Sequence, residues 1–198
     1  MKLVTITGPS CSGKTTLVKE LIRKYPDYYC KVVSFTTRSI RDGEVDGVDY
    51  HFISKEEALD SINSKQLAEY EVFNKNIYGT TLKEMSEKVS SGKIPLQVIE
   101  PTGLTSIRKL YPKEVYSVYM DLSLEELIER YLSRLYADTG QELSYAAARI
   151  VSISNEHKSW KDMGPYDFRI SSFTSSNKES ILTSLNEVLL MEKAIWLK

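Results

Sequence analysis

Leu3-Val4-Thr5-Ile6-Thr7-Gly8-Pro9-Ser10-Cys11-Ser12-Gly13-Lys14-Thr15-Thr16 is the stretch from which the rest of the chain is read. Its first five residues are leucine or β-branched and suit a short buried strand, which the Gly- and Pro-containing segment after them breaks. From Lys14 to Tyr25 the apolar positions Leu17, Val18, Leu21 and Ile22 recur at helical spacing, and Pro26 stops the pattern. Gly8 to Thr15 therefore satisfies G-x-x-x-x-G-K-[ST] in the strand, loop and helix setting that gives the motif its meaning. There the glycines let successive amides turn inward on a phosphate, and the helix N-terminus adds its positive dipole end. Lys14 reaches the transferable phosphates, and the Thr15 hydroxyl is placed to ligate magnesium. Cys11 and Cys30 read as small residues filling tight places.

Outward from this loop the chain alternates. Hydroxyl-to-Glu capping boxes at Ser54…Glu57, Thr81…Glu84, Ser123…Glu126 and Ser176…Glu179 each predict a helix start. Between the helices lie short apolar runs at Val32–Phe35, Leu96–Ile99, Val115–Met120 and Phe168–Ile170, of the kind a sheet buries on both faces. The expected class is α/β, a mostly parallel sheet flanked by helices. Two regions interrupt it. From Thr36 to Tyr78 strand-like pieces alternate with Asp-Gly and Tyr-rich segments, which predicts a small β insertion. From Arg130 to Arg149 an arginine-containing stretch holds a loop at Ala137–Gln141 between two helical patterns.

Composition narrows the function. The 198 residues carry 26 Lys+Arg against 27 Asp+Glu, a net charge of -1, so there is no global electrostatic footprint for nucleic acid or an anionic membrane. Cys11, Cys30, His51 and His157 have no zinc-site spacing, and no apolar run approaches the length of a membrane span. A reduced, cytoplasmic protein with small-molecule partners, monomeric or homodimeric, is the expectation.

The acceptor side is read from Ser34-Phe35-Thr36-Thr37-Arg38-Ser39-Ile40-Arg41-Asp42-Gly43-Glu44-Val45-Asp46-Gly47-Val48-Asp49-Tyr50-His51-Phe52. Arg38 and Arg41, three apart near a loop, with Tyr50 and Tyr78 available, suit a phosphate monoester: forked guanidinium donors for its charge and phenols for its remaining oxygens. This segment resembles the guanylate kinase family, whose pattern S-x-T-T-R-x-x-R-x-G-E-x-x-G-x-x-Y-x-F it matches without a gap. Glu69, followed eleven residues on by Thr80 in Tyr78-Gly79-Thr80, matches a further family feature.

The resemblance implies a phosphate-loop NTPase fold in one domain. Its core would be 1–33, 81–129 and 150–198, with a GMP-binding insertion at 34–80 and a helical lid at about 130–149. It implies phosphorylation of GMP, and of dGMP, by ATP with Mg²⁺. ATP would be held by Gly8, Pro9, Ser10, Cys11, Ser12, Gly13, Lys14, Thr15 and Thr16, and the metal by Thr15. GMP would be held by Ser34, Arg38, Arg41, Tyr50, Glu69, Tyr78, Thr80 and Glu100. Lys14, Arg38, Arg130, Arg134 and Arg149 would act on the transferring phosphoryl group. Base choice has a chemical reason: guanine presents an N1 hydrogen and an amino group side by side, which one carboxylate accepts, while its O6 needs a donor such as Ser34 or Thr80. Adenine turns an N1 lone pair toward the same carboxylate.

Some positions depart from the family. Its Asp-x-Asp is Val98-Ile99-Glu100, so the aspartate near magnesium is a valine and the base-reading aspartate is one methylene longer. Glu100 and Asp121, at predicted strand ends, are the acids left to help the metal. The family's Pro-Pro-Ser is Asp121-Leu122-Ser123, its Asn-Asp near adenine is Ser171-Ser172, and the interval from Arg134 to Arg149 is longer than usual. Val98 and Glu100 keep open a phosphate-loop kinase for another nucleotide or a ribosyl phosphate. A non-catalytic module that binds phosphorylated partners through the acceptor pocket is a further alternative, against which Lys14 and Thr15 stand.

Overall fold

The computed structural model describes residues 3–73, 75–137 and 143–196. In chain order β1 (Leu3–Thr7) leads to α1 (Lys14–Lys24), β2 (Tyr29–Lys31), β3 (Phe35–Thr36), β4 (His51–Phe52), α2 (Lys55–Asn63), β5 (Leu67–Phe73), β6 (Asn76–Thr81), α3 (Leu82–Val89), β7 (Ile94–Val98) and α4 (Pro101–Leu110). Then come β8 (Val115–Met120), α5 (Leu124–Ala137), α6 (Leu143–Trp160), β9 (Phe168–Ile170) and α7 (Lys178–Trp196). Five strands form a sheet in the order β2-β7-β1-β8-β9, and four form a second in the order β4-β3-β6-β5. β2 runs parallel to β7 and β8 parallel to β9, each pair joined by helical crossovers. This is the α/β arrangement of a phosphate-loop NTPase.

The chain divides into two compact units. The first comprises residues 3–5 and Ile22–Val115. Its strand β7 is buried from Ile94 to Gln97, and its second sheet covers a small core of Phe35, Ala58 and Ile77, with Ile53, Ile62 and Leu67 packed against it. Ser54 starts α2 with a complete capping box: its hydroxyl accepts from the Glu57 amide, and the Glu57 carboxylate accepts from the Ser54 amide. The second unit is Ile6–Leu21 and the described part of Tyr116–Lys198. Leu182, Leu185 and Leu189, spaced by three and four, are all fully buried on one stripe of α7.

The expected strands over Leu3–Thr7, Val115–Met120 and Phe168–Ile170 are found at those bounds. The run Val32–Phe35 behaves otherwise. Val32, Val33 and Phe35 are buried, but the ladder partner changes along the run: the Val32 amide donates to Leu96, the Val33 amide to the Glu84 carboxylate, and Phe35 pairs in the second sheet. Apolar content recorded burial and was silent about partner. That Glu84 contact also leaves the box at Thr81 half made, with the Thr81 hydroxyl capping the Glu84 amide while the carboxylate is used elsewhere. The box at Ser123 is reciprocal. At Ser176 there is none: α7 begins after Asn177, whose side-chain oxygen accepts from the Thr174 amide, and the Ser176 hydroxyl bonds Thr174 instead. Of the loop expected at Ala137–Gln141, residues 138–141 lie outside the described residues.

Candidate functional site

The loop after β1 is bent by two glycines that have no substitute. Gly8 has φ +155°, and a Cβ there would lie 2.7 Å from Met120 Cβ. Gly13 has φ +95°, in the left-handed region. Cys11 also takes a left-handed φ of 66°, the conformation that alternates with right-handed residues to turn amides inward. Lys14 lies back over the loop, its Nζ donating to the carbonyls of Gly8 at 2.6 Å and Pro9 at 2.8 Å. Buried Ser12 Oγ has no partner among the described residues, and Thr15 is exposed in the first turn of α1.

Charged groups from α5 and α6 converge on this loop. Arg130 donates to the carbonyls of Ser12 at 3.2 Å and Phe173 at 2.6 Å. Arg149 donates to Ser10 Oγ at 2.6 Å, and its other nitrogen lies 3.8 Å from Glu156. Buried Glu156 accepts from the Ser10 amide at 2.7 Å and from Ser152 Oγ at 2.8 Å. The loop thus brings together Lys14, Arg130 and Arg149. Arg134 is exposed and has no contact among the described residues. Asp121 is taken by an ion pair with Arg169 at 3.0 Å, which leaves it a poor candidate for the metal.

In the other unit Arg38 makes a forked pair with Glu44, at 2.6 and 2.7 Å. The Arg38 hydrogen bond holds the Glu44 carboxyl below its ordinary range and raises the guanidinium pKa in turn. Glu44 also accepts from the Arg41 amide, while Arg41 itself is exposed. The Arg38 guanidinium lies 5.2 Å from the centre of the Tyr50 ring, and the Tyr50 and Tyr78 rings meet edge to face at 6.0 Å. Arg38, Tyr50 and Tyr78 therefore form one cluster with Arg41 at its rim. Burial raises the Tyr50 phenol, so it stays a hydrogen-bond donor at neutral pH.

The residues expected to read the base form a second cluster in the same unit. Glu69 on β5 faces Thr80 on β6 across a register irregularity between Leu67 and Glu69. Thr80 Oγ1 donates to Glu69 Oε1 at 2.7 Å and lies 3.0 Å from Ser34 Oγ. Burial pushes the Glu69 carboxyl up to about 7, with the Thr80 hydrogen bond opposing and Glu71 adding to the rise. Gly103 leaves room for it, since a Cβ there would come within 3.0 Å of Glu69 Oε2. Glu100, half-buried at the start of α4, makes no cap bond with its side chain.

Sequence reasoning missed Glu156, Glu44 and Gln97. Glu156 follows Arg149 by seven residues, two turns along one helix face, which was the available signal. Glu44 stood inside the quoted motif without a role. Gln97 is a lone amide in the apolar strand Ile94–Val98; it is fully buried and donates to Thr80 Oγ1 at 3.0 Å and Glu69 Oε1 at 3.3 Å.

Comparison with known proteins agrees with this geometry. A family model described as guanylate kinase matches residues 1–190. A guanylate kinase of Prochlorococcus marinus subsp. pastoris is 38% identical over 154 residues, 78% of this chain and 80% of the relative. One from Helicobacter hepaticus is 34% identical over 154 residues, 78% and 75% of the two chains. The crystal structure of guanylate kinase from Anaplasma phagocytophilum superposes with a TM-score of 0.68 at 24% identity, covering 96% of this chain and 85% of that one, a likeness of fold. With the phosphate loop, the arginine and tyrosine cluster and the carboxylate beside Thr80 all in place, the chain belongs to the guanylate kinase family.

Proposed function

We propose that this chain transfers the γ-phosphoryl group of ATP to GMP, and to dGMP, giving ADP and the guanosine diphosphate. The observation that carries the reading is the half-buried Glu69 carboxylate with hydroxyls at 2.7 Å (Thr80) and beyond it Ser34, a donor and acceptor pattern complementary to guanine. The phosphate loop from Gly8 to Thr16 would take the triphosphate, and the cluster of Arg38, Arg41, Tyr50 and Tyr78 the phosphate of GMP. Glu100 would assist at the base.

The chemistry asks little of any acid or base. The GMP phosphate oxygen is already anionic and attacks phosphorus directly, so positioning and neutralisation of charge supply the acceleration. Lys14 leaves the Gly8 and Pro9 carbonyls to follow the transferring group. Arg130, Arg134 and Arg149, from the helices of the lid, meet its equatorial oxygens, and their closure excludes water that would hydrolyse ATP. Arg38, held flat by Glu44, exchanges one carboxylate oxygen for phosphate.

Magnesium fits the residues present. Thr15 offers an exposed hydroxyl with no partner among the described residues, and Mg²⁺ characteristically takes one or two protein oxygens and completes its shell with phosphate and water. Held by Thr15, the ion would supply positive charge that offsets the charge of the phosphates. Among the described residues no helix is long and apolar enough to cross a membrane, and a cytoplasmic place in nucleotide supply fits the small-molecule substrates, with no role for nucleic acid and a monomer or homodimer sufficing.

A coupled assay with ATP against GMP, dGMP, AMP, CMP, UMP and a ribosyl phosphate tests the reading. Turnover confined to the guanine nucleotides is expected. Turnover of another acceptor in preference to GMP overturns it.

A further inference from the structure

Thr80 Oγ1 has three polar neighbours: Glu69 Oε1 at 2.7 Å, Gln97 Nε2 at 3.0 Å and Ser34 Oγ at 3.0 Å. A hydroxyl has one proton and two lone pairs. With Glu69 ionised, as it must be to accept two guanine donors, Oε1 accepts only, so the Thr80 proton points at it. Gln97 Nε2 donates only, so it fills one Thr80 lone pair. The Ser34 hydroxyl is left to donate to the other.

The geometry points to Gln97 as the residue that fixes these directions: it commits Thr80 to holding Glu69, and it leaves Ser34 as the one hydroxyl free to turn its proton to guanine O6. When Ser34 turns, Thr80 still accepts from Gln97 and is not stranded. Thr80 cannot turn likewise without abandoning the carboxylate. Gln97 is thus a positioning residue for base recognition, and this inference rests on the GMP reading.

The amide orientation follows from the same count. Turned over, Gln97 would set its carbonyl against Glu69 Oε1, acceptor against acceptor. As it stands, the carbonyl Oε1 is buried with no partner among the described residues, a destabilising feature that an apolar residue on this buried strand would avoid. Glu69 Oε2 carries no hydrogen bond among the described residues and lies on the side of Gly103. Facing Glu69 are Thr80 from β6, Gln97 from β7 and Gly103 from α4. The charged group that acts on it is Glu71 of its own strand, and the Thr102 hydroxyl donates to that second carboxylate. No cation among the described residues offsets the loss if Gln97 is removed.

Two measurements test this. In nucleotide-free protein carrying ¹³C-labelled glutamate, the Glu69 carboxyl titration is followed by NMR in wild type and in Gln97→Leu, with Gln97→Met made as well in case the branched side chain prevents folding. Loss of the amide donor should raise the midpoint by ~1 pH unit. A midpoint that stays put means that Gln97 is packing only and overturns the proposal.

In the second measurement, binding of GMP is compared with that of 6-thioguanosine monophosphate, whose sulfur is a weak acceptor. Ser34→Ala should abolish a preference of ~tenfold for GMP, and Thr80→Val should weaken both ligands alike and keep it. Loss of the preference in Thr80→Val and its survival in Ser34→Ala would reverse the assignment. If wild type binds neither ligand, the GMP reading fails, and the titration still decides the hydrogen-bond directions.

Discussion

The Ser10 amide donates to the Glu156 carboxylate at 2.7 Å, so an anion of the chain itself sits on an amide of the phosphate loop. Arg149 bonds the Ser10 hydroxyl beside it and lies 3.8 Å from the same carboxylate. On the proposed function, a phosphate entering the loop would compete with Glu156 and gain Arg149.

Glu156→Gln keeps the shape and removes the competing charge. The KM for ATP should fall ~5-fold, because a charge-assisted hydrogen bond of the loop becomes a neutral one. At the same time kcat should fall, since Arg149 loses the partner that orients it. Initial rates at saturating GMP separate the two effects, and a variant with both constants unchanged would show that the carboxylate stands aside.

Lys14→Ala should leave the fold intact and remove nearly all turnover. The side chain lies over its own loop, bonded to the carbonyls of Gly8 and Pro9, so its loss opens no cavity in a core. Equal melting temperatures with kcat lowered by about 10³-fold or more is the expected pair of results. Turnover near that of wild type is incompatible with the phosphate-loop assignment.

Arg38→Ala should raise the KM for GMP by roughly 10- to 100-fold, the range of a lost charge-assisted pair, and change the KM for ATP little. Glu44→Gln should act in the same direction and more weakly, because it frees the guanidinium that Glu44 holds in a fork. Equal effects on both substrates would remove Arg38 from the acceptor site.

Glu69 links base recognition to stability. Its carboxyl titrates at about 7 in the folded chain against an ordinary value of 4.5. Between those values the folded state holds the proton and the unfolded state has released it, so stability falls as pH rises through the window and the full cost stands above about 7. That cost is on the order of 3 kcal/mol. Glu69→Gln should therefore melt higher than wild type at pH 8, with the difference shrinking toward pH 5. In the same variant GMP turnover should drop roughly 30- to 900-fold and AMP should gain relative to GMP. Thermal melts across pH and kcat/KM for both nucleotides check the two halves; an unchanged GMP-to-AMP ratio would mean that Glu69 does not read the base.

The phosphate loop was legible because its signal is local: four fixed positions within eight residues, a strand before and a helix after. β8 and β9 were legible for a similar reason, since each is a short run that stays within one sheet. Val32–Phe35 was not, because the same run serves two sheets and apolarity does not name the neighbour. Arg149 was expected at the phosphoryl group by resemblance alone; its bond to Ser10, 139 residues away, is a product of the fold. Glu156 carried no motif at all. Gln97 did announce itself, as one amide in a strand otherwise apolar, but its reach to Glu69 and Thr80 spans elements 28 and 17 residues away in sequence.

The register of β5 against β6 governs how this pocket can change over generations. A strand turns alternate side chains to opposite faces, and the ladder is regular from Phe73↔Asn76 back to Glu69↔Thr80, so the irregularity takes up Ala68 without moving Glu69. Deleting one residue between Glu69 and Phe73 would slide Glu69 opposite Gly79, onto the other side of the hairpin, and bring Ala68 opposite Thr80. Base preference is therefore open to revision by exchanging one amino acid for another at positions 34, 69, 80 or 97. It is closed to revision by gaining or losing one between Glu69 and Phe73, where a lineage that altered the length would forfeit the pocket rather than retune it.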